Sequence, residues 1–408
     1  MQEHFRFAGF MGKRVHLGVS GSIAAFKALE ILRLLQSADL TVSATLTESA
    51  QKFVTGLSFE ALGASPVYTG MFERLGGGQE SPFGHLEPGE LCDAMLIAPA
   101  SATTMARLAF GLGDDMLSCQ ALAFPGPKIV VPAMNPRMWN APATQRNWLM
   151  LKDLGYICIE PDSGLVACKE EGKGRFPEYE EILPVVLRAL SPQDLAGKKV
   201  LVTLGPTREQ WDAVRFWSNP SSGTMGACMA MAAWLRGAEV TVVAGPTSMK
   251  FHSGMGVVPV QNARQMYEAC HDVWADTDIA CCTAAVADYR PILHGEGKFK
   301  KEGSQEGLTV RFETNPDILK SLGESKREGQ KLIGFAAETS DCREEAQRKL
   351  ARKNLDLIAC NRIDQDGSGF GVPTNQVFVL DNEGRREQWP PLRKTEVAWR
   401  LWDHLLLA

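Results

Sequence analysis

Twice in this chain an apolar run of strand length ends in a glycine turn, and that repeated opening restricts the fold more than any other feature. Gly12-Lys13-Arg14-Val15 leads into Gly18-Val19-Ser20-Gly21-Ser22, and Gly197-Lys198-Lys199-Val200 leads through Leu201-Val202-Thr203-Leu204 into Gly205-Pro206-Thr207. A buried strand, a glycine turn and then a helical pattern begin a doubly wound α/β unit. After the first opening, a helix fits residues 23–36 and strands fit 40–46, 94–98, 128–131 and 156–159. After the second, strands fit 200–204, 239–244, 279–283, 332–336, 357–359 and 376–380. Helices there fit 224–236, 263–275, 316–323 and 342–353, while 295–307 and 367–374 read as glycine-rich loops. Such alternation predicts largely parallel sheets covered on both faces. A chain of 408 residues also exceeds what one core usually serves. The expectation is two Rossmann-like doubly wound α/β domains in tandem, residues 1–192 and 193–408. The boundary falls near Ser191-Pro192-Gln193-Asp194, after the amphipathic stretch Tyr179–Leu190. Beyond their openings the halves are too dissimilar to be an internal repeat.

Charge and cysteine usage exclude several function classes. A formal net charge of −5 argues against a nucleic-acid partner, which requires a basic domain or stripe. No apolar run reaches the ~18 residues of a membrane span. The amino terminus lacks the apolar core and small-residue cleavage site of a secretion signal. These readings place the chain in the cytoplasm, away from membranes. The ten cysteines are scattered without a C-x-x-C pair or a histidine at ligand spacing, the pattern of reduced core residues. Cys168 is the exception, because it stands in a glycine- and charge-rich loop.

In the first half, Ser20-Gly21-Ser22 places hydroxyls and backbone donors at a helix start, a geometry that suits phosphate. Taken alone it serves equally well as a capped helix start. Two further loops follow later strands, Ala98-Pro99-Ala100-Ser101-Ala102-Thr103-Thr104 and Pro132-Ala133-Met134-Asn135-Pro136-Arg137-Met138. Loops at the carboxyl ends of parallel strands converge on one ligand. A lone histidine such as His85 is by itself most simply structural, and Asn135 by itself is a turn residue before proline.

In combination, GVSGSIAAFK, APASATT, Gly84-His85, PAMN with Met138, and Ala167-Cys168 ahead of Gly172-Lys173-Gly174-Arg175 resemble the homo-oligomeric flavin-containing cysteine decarboxylases. The resemblance spans roughly residues 12–190 and implies a flavodoxin-like domain that binds FMN. It implies oxidation of a carboxy-terminal cysteine to a thioaldehyde, which loses CO₂ because the electrons left behind delocalise into C=S. By the same resemblance Ser20, Gly21, Ser22, Thr47, Ser49, Ser101, Ala102, Thr103, Thr104 and Ala133 hold the flavin. His85 is the catalytic histidine, Asn135 binds the substrate carboxylate, Met138 closes the pocket, and Cys168 on a flap donates a proton. The family flap usually continues Cys-Gly-Asp, whereas here Lys169-Glu170-Glu171 follow Cys168.

In the second half, GPTRE, SNPSSGTMG, AAVADYR, KFKK, NPDI, GFAAET and RKNLDLI occur in that order. The segment Ser218–Gly226 again suits phosphate, and it does not match a P-loop. Lys349 and Lys353 stand four apart on one helix face, which is consistent with a triphosphate site or with a solvated face. Together these motifs resemble the phosphopantothenate–cysteine ligase domain of bifunctional coenzyme A biosynthesis proteins, over about residues 197–400. The resemblance implies CTP, Mg²⁺, an acyl-cytidylate of 4'-phosphopantothenate, and displacement of CMP by the amine of cysteine. It assigns Asn219 and Arg215 to the phosphopantothenate side and Lys298 to the second half-reaction. It assigns Cys282, Thr283, Ala284, Asp288, Asn315, Pro316, Asp317, Ile318, Phe335, Lys349 and Lys353 to the nucleotide. No metal-ligand set is legible, so the Mg²⁺ is expected to be held largely through nucleotide phosphates. Where the family has lysine after SSG, this chain has Thr224.

The two halves fit one pathway, since the ligase makes what the decarboxylase consumes. The alternatives are a decarboxylase of peptide carboxy-terminal cysteines or a regulatory flavoprotein. The resemblance also implies a homo-oligomer, with trimeric flavin domains and dimeric ligase domains, acting on small molecules.

Overall fold

The computed structural model describes residues 6–71, 83–295, 297–300, 307–338, 343–362, 369 and 371–407. The chain divides into two compact units, Phe7–Ser191 and Pro192–Ala408.

The first unit is built on six parallel strands: β1 (Arg14–Val19), β2 (Thr41–Leu46), β3 (Val67–Tyr68), β4 (Ala94–Ala100), β5 (Lys128–Pro132) and β6 (Ile157–Cys158). Their order is β3-β2-β1-β4-β5-β6, so the winding reverses between β1 and β4. A ligand crevice opens at such a reversal, because the loops after the two strands leave in opposite directions. Burial on both faces explains why β4 is apolar throughout, with all seven residues buried. His16 is a polar break in that core. Its Nδ1 lies 2.8 Å from Ser43 Oγ, and its Nε2 lies 2.9 Å from Thr45 Oγ1 and 3.2 Å from Gln120 Oε1. Burial lowers the His16 pKa to about 4, so the ring stays neutral near pH 7.

Local chemistry shifts some expected boundaries. Residues 23–36 are not one helix: a 3₁₀ turn, Ile23–Phe26, capped by Ser22, precedes the α-helix Lys27–Ser37. The loop around Cys168 is a hairpin of β7 (Asp162–Leu165) and β8 (Glu171–Arg175), which alternating hydrophobicity does not reveal. The helix Tyr179–Leu190 buries Ile182, Leu183, Val186 and Leu187 at the end of the unit.

The second unit contains β9 (Lys199–Leu204), the hairpin β10 (Arg208–Gln210) and β11 (Phe216–Ser218), β12 (Glu239–Ala244), β13 (Gly256–Pro259) and β14 (Ile279–Cys282). The hairpin β15 (Tyr289–Pro291) and β16 (Phe312–Thr314) follows, then β17 (Lys331–Glu338), β18 (Leu357–Arg362), β19 (Thr374–Asn375), β20 (Val377–Asp381) and β21 (Arg386–Gln388). The main sheet runs β13-β12-β9-β14-β17-β18-β20-β21, parallel up to β18, with β20 antiparallel to both of its neighbours, β18 and β21. Its winding reverses between β9 and β14. The helix Thr224–Leu235 packs so closely on β9 that a Cβ at Gly226 would lie 2.2 Å from Thr283 Oγ1 and 2.5 Å from Leu204 Cβ. Against the same helix, Trp402 Nε1 donates to Met229 O at 3.1 Å. Of the expected helix 316–323, Pro316 and Asp317 lie outside: the helix is Ile318–Glu324 and Asp317 is its cap. The helix expected at 342–353 runs Arg343–Arg352 in the described residues. Parts of the loops at 295–307 and 367–374, and Lys301 of KFKK, lie outside the described residues. No helix among the described residues is long and apolar enough to cross a membrane.

Candidate functional sites

At the reversal of the first sheet lies a cavity of about 580 Å³. Its walls include Gly21, Ser22, Ser101, Ala102, Ala133, Asn135, Met138 and Cys168, eight of the expected site residues, so loops after β1, β4 and β5 meet the flap. Several expected ligand hydroxyls in fact tie these loops together. Ser20 Oγ donates to Pro99 O at 2.8 Å and accepts from Ser101 N at 2.7 Å. Ser22 Oγ donates to Ala133 O at 3.0 Å, and Ser101 Oγ caps its helix by accepting from Thr104 N at 3.2 Å. Thr47 Oγ1 accepts from Ala50 N at 3.2 Å. Gly21 is pressed against Ser49, whose Cβ would lie 2.4 Å from an added Cβ. Ser20, Thr47, Ser49, Thr103 and Thr104 do not line the cavity. The lining is mostly apolar, including Ile23, Ala24, Ala133, Met134 and Met138, with Lys27, Asn135 and Arg175 among its polar members. That donor set fits a flat aromatic cofactor with a charged tail.

Asn135 is held with little freedom. Its Oδ1 accepts from Arg137 N at 2.7 Å, capping Pro136–Asn140. Its Nδ2 donates to Cys168 Sγ at 3.0 Å and to Glu170 Oε2 at 3.1 Å. Arg137 pairs with Glu170 at 2.7 Å. The hairpin is seated by Met134 N donating to Gly174 O at 3.0 Å, and a Cβ at Gly174 would stand 2.4 Å from Met134 O. Lys169 takes φ +62, the left-handed region where glycine carries no steric penalty. His85 does not line this cavity. Its turn is anchored through Gly84, whose carbonyl accepts from Gln120 Nε2 at 3.0 Å, and its ring meets Phe83 at 6.3 Å.

The second reversal holds a more polar cavity of about 370 Å³, lined by Asn219, Thr224, Thr283, Ala284, Asp288, Phe335 and Lys349 among others. Asn219 Nδ2 donates to Ala285 O at 3.1 Å and Val286 O at 3.2 Å. Thr283 Oγ1 donates to Thr203 O at 2.6 Å. Lys349 pairs with Glu338 at 2.6 Å.

The remaining expected residues do not line this cavity. Lys353 pairs with Asp317 at 2.9 Å, and Asp317 also accepts from Lys320 N at 3.0 Å. Burial alone would raise the Asp317 pKa, but Lys353 and that cap hold it below the usual range. Asn315 Nδ2 donates to Ala287 O at 2.8 Å, and Ile318 is buried. Cys282 is a neutral thiol, its pKa pushed up to about 12 by burial. Arg215 and the segment of Lys298 meet at Asp212. That buried carboxylate accepts from Arg215 Nη1 at 2.6 Å and Phe299 N at 3.0 Å. Burial opposes its charge, but hydrogen bonds from Arg215, Val214 and Phe299 hold its pKa far below the carboxylate range.

Residues 10–191 match the flavoprotein family, and residues 195–407 match the DNA/pantothenate metabolism flavoprotein C-terminal domain. The chain is 40% identical over 393 residues to the coenzyme A biosynthesis bifunctional protein CoaBC of Bacillus subtilis, covering 95% of each chain. The chain belongs to the CoaBC family. The Escherichia coli CoaBC is 38% identical over 392 residues, which is 96% of this chain and 95% of that one. A solved structure of the C-terminal domain of a CoaBC is 38% identical, covers 52% of this chain and 95% of that one, and superposes with a TM-score of 0.44.

Within this CoaBC framework, sequence reading passed over several residues that the fold brings to the cavities. Lys27 and Arg175 line the first; the Lys27 ammonium lies 5.4 Å from the Phe176 ring centre. Lys394 and Asn375, both buried, line the second. Asn375 Oδ1 has no hydrogen-bond partner, and burial lowers the Lys394 pKa. Both come from far along the chain and stand in no recognisable motif. Lys394 opens the last helix, Lys394–Leu406, and only tertiary packing brings it to Thr224. No group of three or more potential metal ligands occurs among the described residues.

Proposed function

We propose that the two units catalyse consecutive steps of coenzyme A biosynthesis, ligation in Pro192–Ala408 and decarboxylation in Phe7–Ser191. One observation carries this reading: a chain alike to CoaBC along 95% of its length has a cavity at the winding reversal of each of its two sheets.

In the ligase unit, 4'-phosphopantothenate reacts with CTP to give an acyl-cytidylate and pyrophosphate, and the amine of cysteine then displaces CMP. Asn219 and Arg215 orient the phosphopantothenate. Thr283, Ala284, Asp288, Asn315–Ile318, Phe335, Lys349 and Lys353 hold the nucleotide, and Lys298 acts in the second half-reaction. Lys394 supplies a cation to the cavity where Thr224 has replaced the usual lysine. Mg²⁺ is carried on the phosphates.

In the decarboxylase unit, FMN supplies a two-electron acceptor for the substrate thiol. The residues of the chain do the rest. Ser20–Ser22, Thr47, Ser49, Ser101–Thr104 and Ala133 shape the flavin seat. Asn135 binds the carboxylate that leaves as CO₂, Met138 closes over the substrate, and Cys168 delivers a proton. His85 accepts the thiol proton. Because His85 stands away from the cavity of its own chain, this reading includes a homo-oligomer in which a neighbouring copy completes the site, with trimeric flavin units and dimeric ligase units. The protein works in the cytoplasm on small molecules.

The test is to incubate the protein with phosphopantothenate, cysteine, Mg²⁺ and either CTP or ATP, following products by mass. Pyrophosphate and CO₂ are expected with CTP. No pyrophosphate with either nucleotide would overturn the ligase assignment, and phosphopantothenoylcysteine accumulating without CO₂ would overturn the decarboxylase assignment.

A further inference from the structure

Asn135 has one acceptor and two amide hydrogens to offer. Its acceptor caps the helix behind it, and its amide group is divided between Cys168 Sγ and the Glu170 carboxylate. A substrate carboxylate therefore reaches this amide only by displacing something, and the group of matching shape and charge is Glu170. The displaced side chain is a carboxylate already paired with Arg137, whose guanidinium is mostly exposed and reaches in from the helix that Asn135 caps. Glu170 and Cys168 belong to one tight turn, in which Val166 N donates to Glu170 O at 2.9 Å and Lys169 N to Val166 O at 2.8 Å. Holding Glu170 on Asn135 thus holds the Cys168 thiol over the cavity.

We propose that Glu170 is a positioning residue that stands in for the substrate carboxylate and thereby times the arrival of Cys168. The inference rests on the decarboxylase reading of the first unit. When substrate binds, its carboxylate takes the Asn135 amide, Glu170 is expelled and the turn lifts, making room for the thiol-bearing end. After oxidation of that end to C=S, the bond to the carboxylate breaks. Its electron pair moves onto sulfur as an enethiolate and CO₂ leaves. Asn135 is then without an anion, and Glu170 returns to it. The return brings Cys168 down to give its proton to the carbon that lost CO₂, restoring C=S. The two electrons stored in the first step then reduce C=S to the thiol, and the Cys168 thiolate is reprotonated from solvent. Loss of the carboxylate is thus the signal that admits the proton donor.

The test uses the full-length flavin-loaded protein, mixed anaerobically with phosphopantothenoylcysteine while flavin absorbance is followed. Bleaching reports the first stage and recovery the second. In Glu170→Gln, bleaching proceeds at the parent rate or faster, while recovery slows by roughly 10- to 100-fold, the worth of one hydrogen bond to a charged group. Escaped enethiol appears by mass in the same samples. Glu170→Asp restores most of the recovery, and Glu171→Gln on the neighbouring exposed position changes neither phase. A second readout needs no turnover: in resting protein, Glu170→Gln alters the rate at which iodoacetamide alkylates Cys168, with Cys119 as internal reference. Parent-like recovery in Glu170→Gln, in a protein whose Cys168→Ser variant does not recover, overturns the timing role alone. Parent-like recovery in Cys168→Ser overturns the proton-donor reading, and the timing role falls with it.

Discussion

The two units open with the same strand, glycine turn and helix, yet their crevices are furnished in opposite ways. The first is walled by Ile23, Ala24, Met134 and Met138 and is covered by a hairpin held on Asn135 through Glu170. The second is lined by hydroxyls and amides and receives a buried cation, Lys394. Their buried histidines differ in the same sense. His16 is surrounded by Ser43, Thr45 and Gln120, whereas His404 stands 3.0 Å from the Asp381 carboxylate and 3.3 Å from that of Glu387. Winding topology supplies a crevice at a predictable place, and side chains from distant segments decide whether it takes a flat apolar ring or a polyanion.

The sharpest way to break this comparison is to remove one chemistry and look for damage in the other. His85→Ala lowers CO₂ release by roughly 100- to 10,000-fold, the usual worth of a general acid–base group, and leaves pyrophosphate release at the parent rate. Equal losses in both would show that the crevices are not independent.

Acid distinguishes the units next. The His16 pKa is lowered from 6.5 to about 4 on folding, so between those values the unfolded chain binds the proton and the folded one does not. Stability of the first unit therefore falls as pH drops from 6.5 towards 4, by about 3 kcal/mol in all. In the second unit Asp381 has linkage of the same sign in a lower pH window, since its folded pKa is also depressed and its stabilisation is lost as pH falls. Burial opposes its charge, but hydrogen bonds and the charges of Arg385 and His404 depress its pKa, so its contribution persists until the carboxylate range. Denaturant melts at several pH values, read by flavin release for the first unit, check this. His16→Gln flattens the pH profile, and an unchanged profile would refute the assignment.

A smaller effect is expected at Lys394. Replacement by Met lowers ligase kcat/KM by about 10- to 100-fold through KM for the nucleotide, since a charge-assisted contact is worth ~1.5–3 kcal/mol. Flavin binding stays unchanged. Smallest of all, Lys169→Gly relieves the left-handed backbone at φ +62. It tightens flap closure by about 1 kcal/mol, seen as slower Cys168 alkylation with no change in ligation.

Much of the fold was legible because buried parallel strands leave long apolar runs, as in β4 and β9, and glycine turns mark their ends. The hairpin β7–β8 was not, since no apolar residue alternates with polar ones there: β8 alternates charged residues with glycine. Helix starts also moved by a few residues, at Lys27 and at Ile318, where caps and a 3₁₀ turn rather than hydrophobic period set the limit. Among site residues, those in contiguous motifs reached their cavities, such as Ser22, Ala133, Asn219 and Thr283. Other motif hydroxyls, such as Ser20 and Thr47, were drawn into loop ties because a buried hydroxyl must find a partner.

The sequence by itself determined the two-unit plan, the parallel sheets and the loops that end at each crevice, because hydrophobic period and glycine position are local properties. Tertiary structure alone decided which side chains face one another there. Glu170 meets Asn135 across 35 residues, and Lys394 reaches the cavity of Thr224 from the far end of the unit. Such meetings depend on how hairpins and helices pack in three dimensions, for which no short stretch of chain carries a signal.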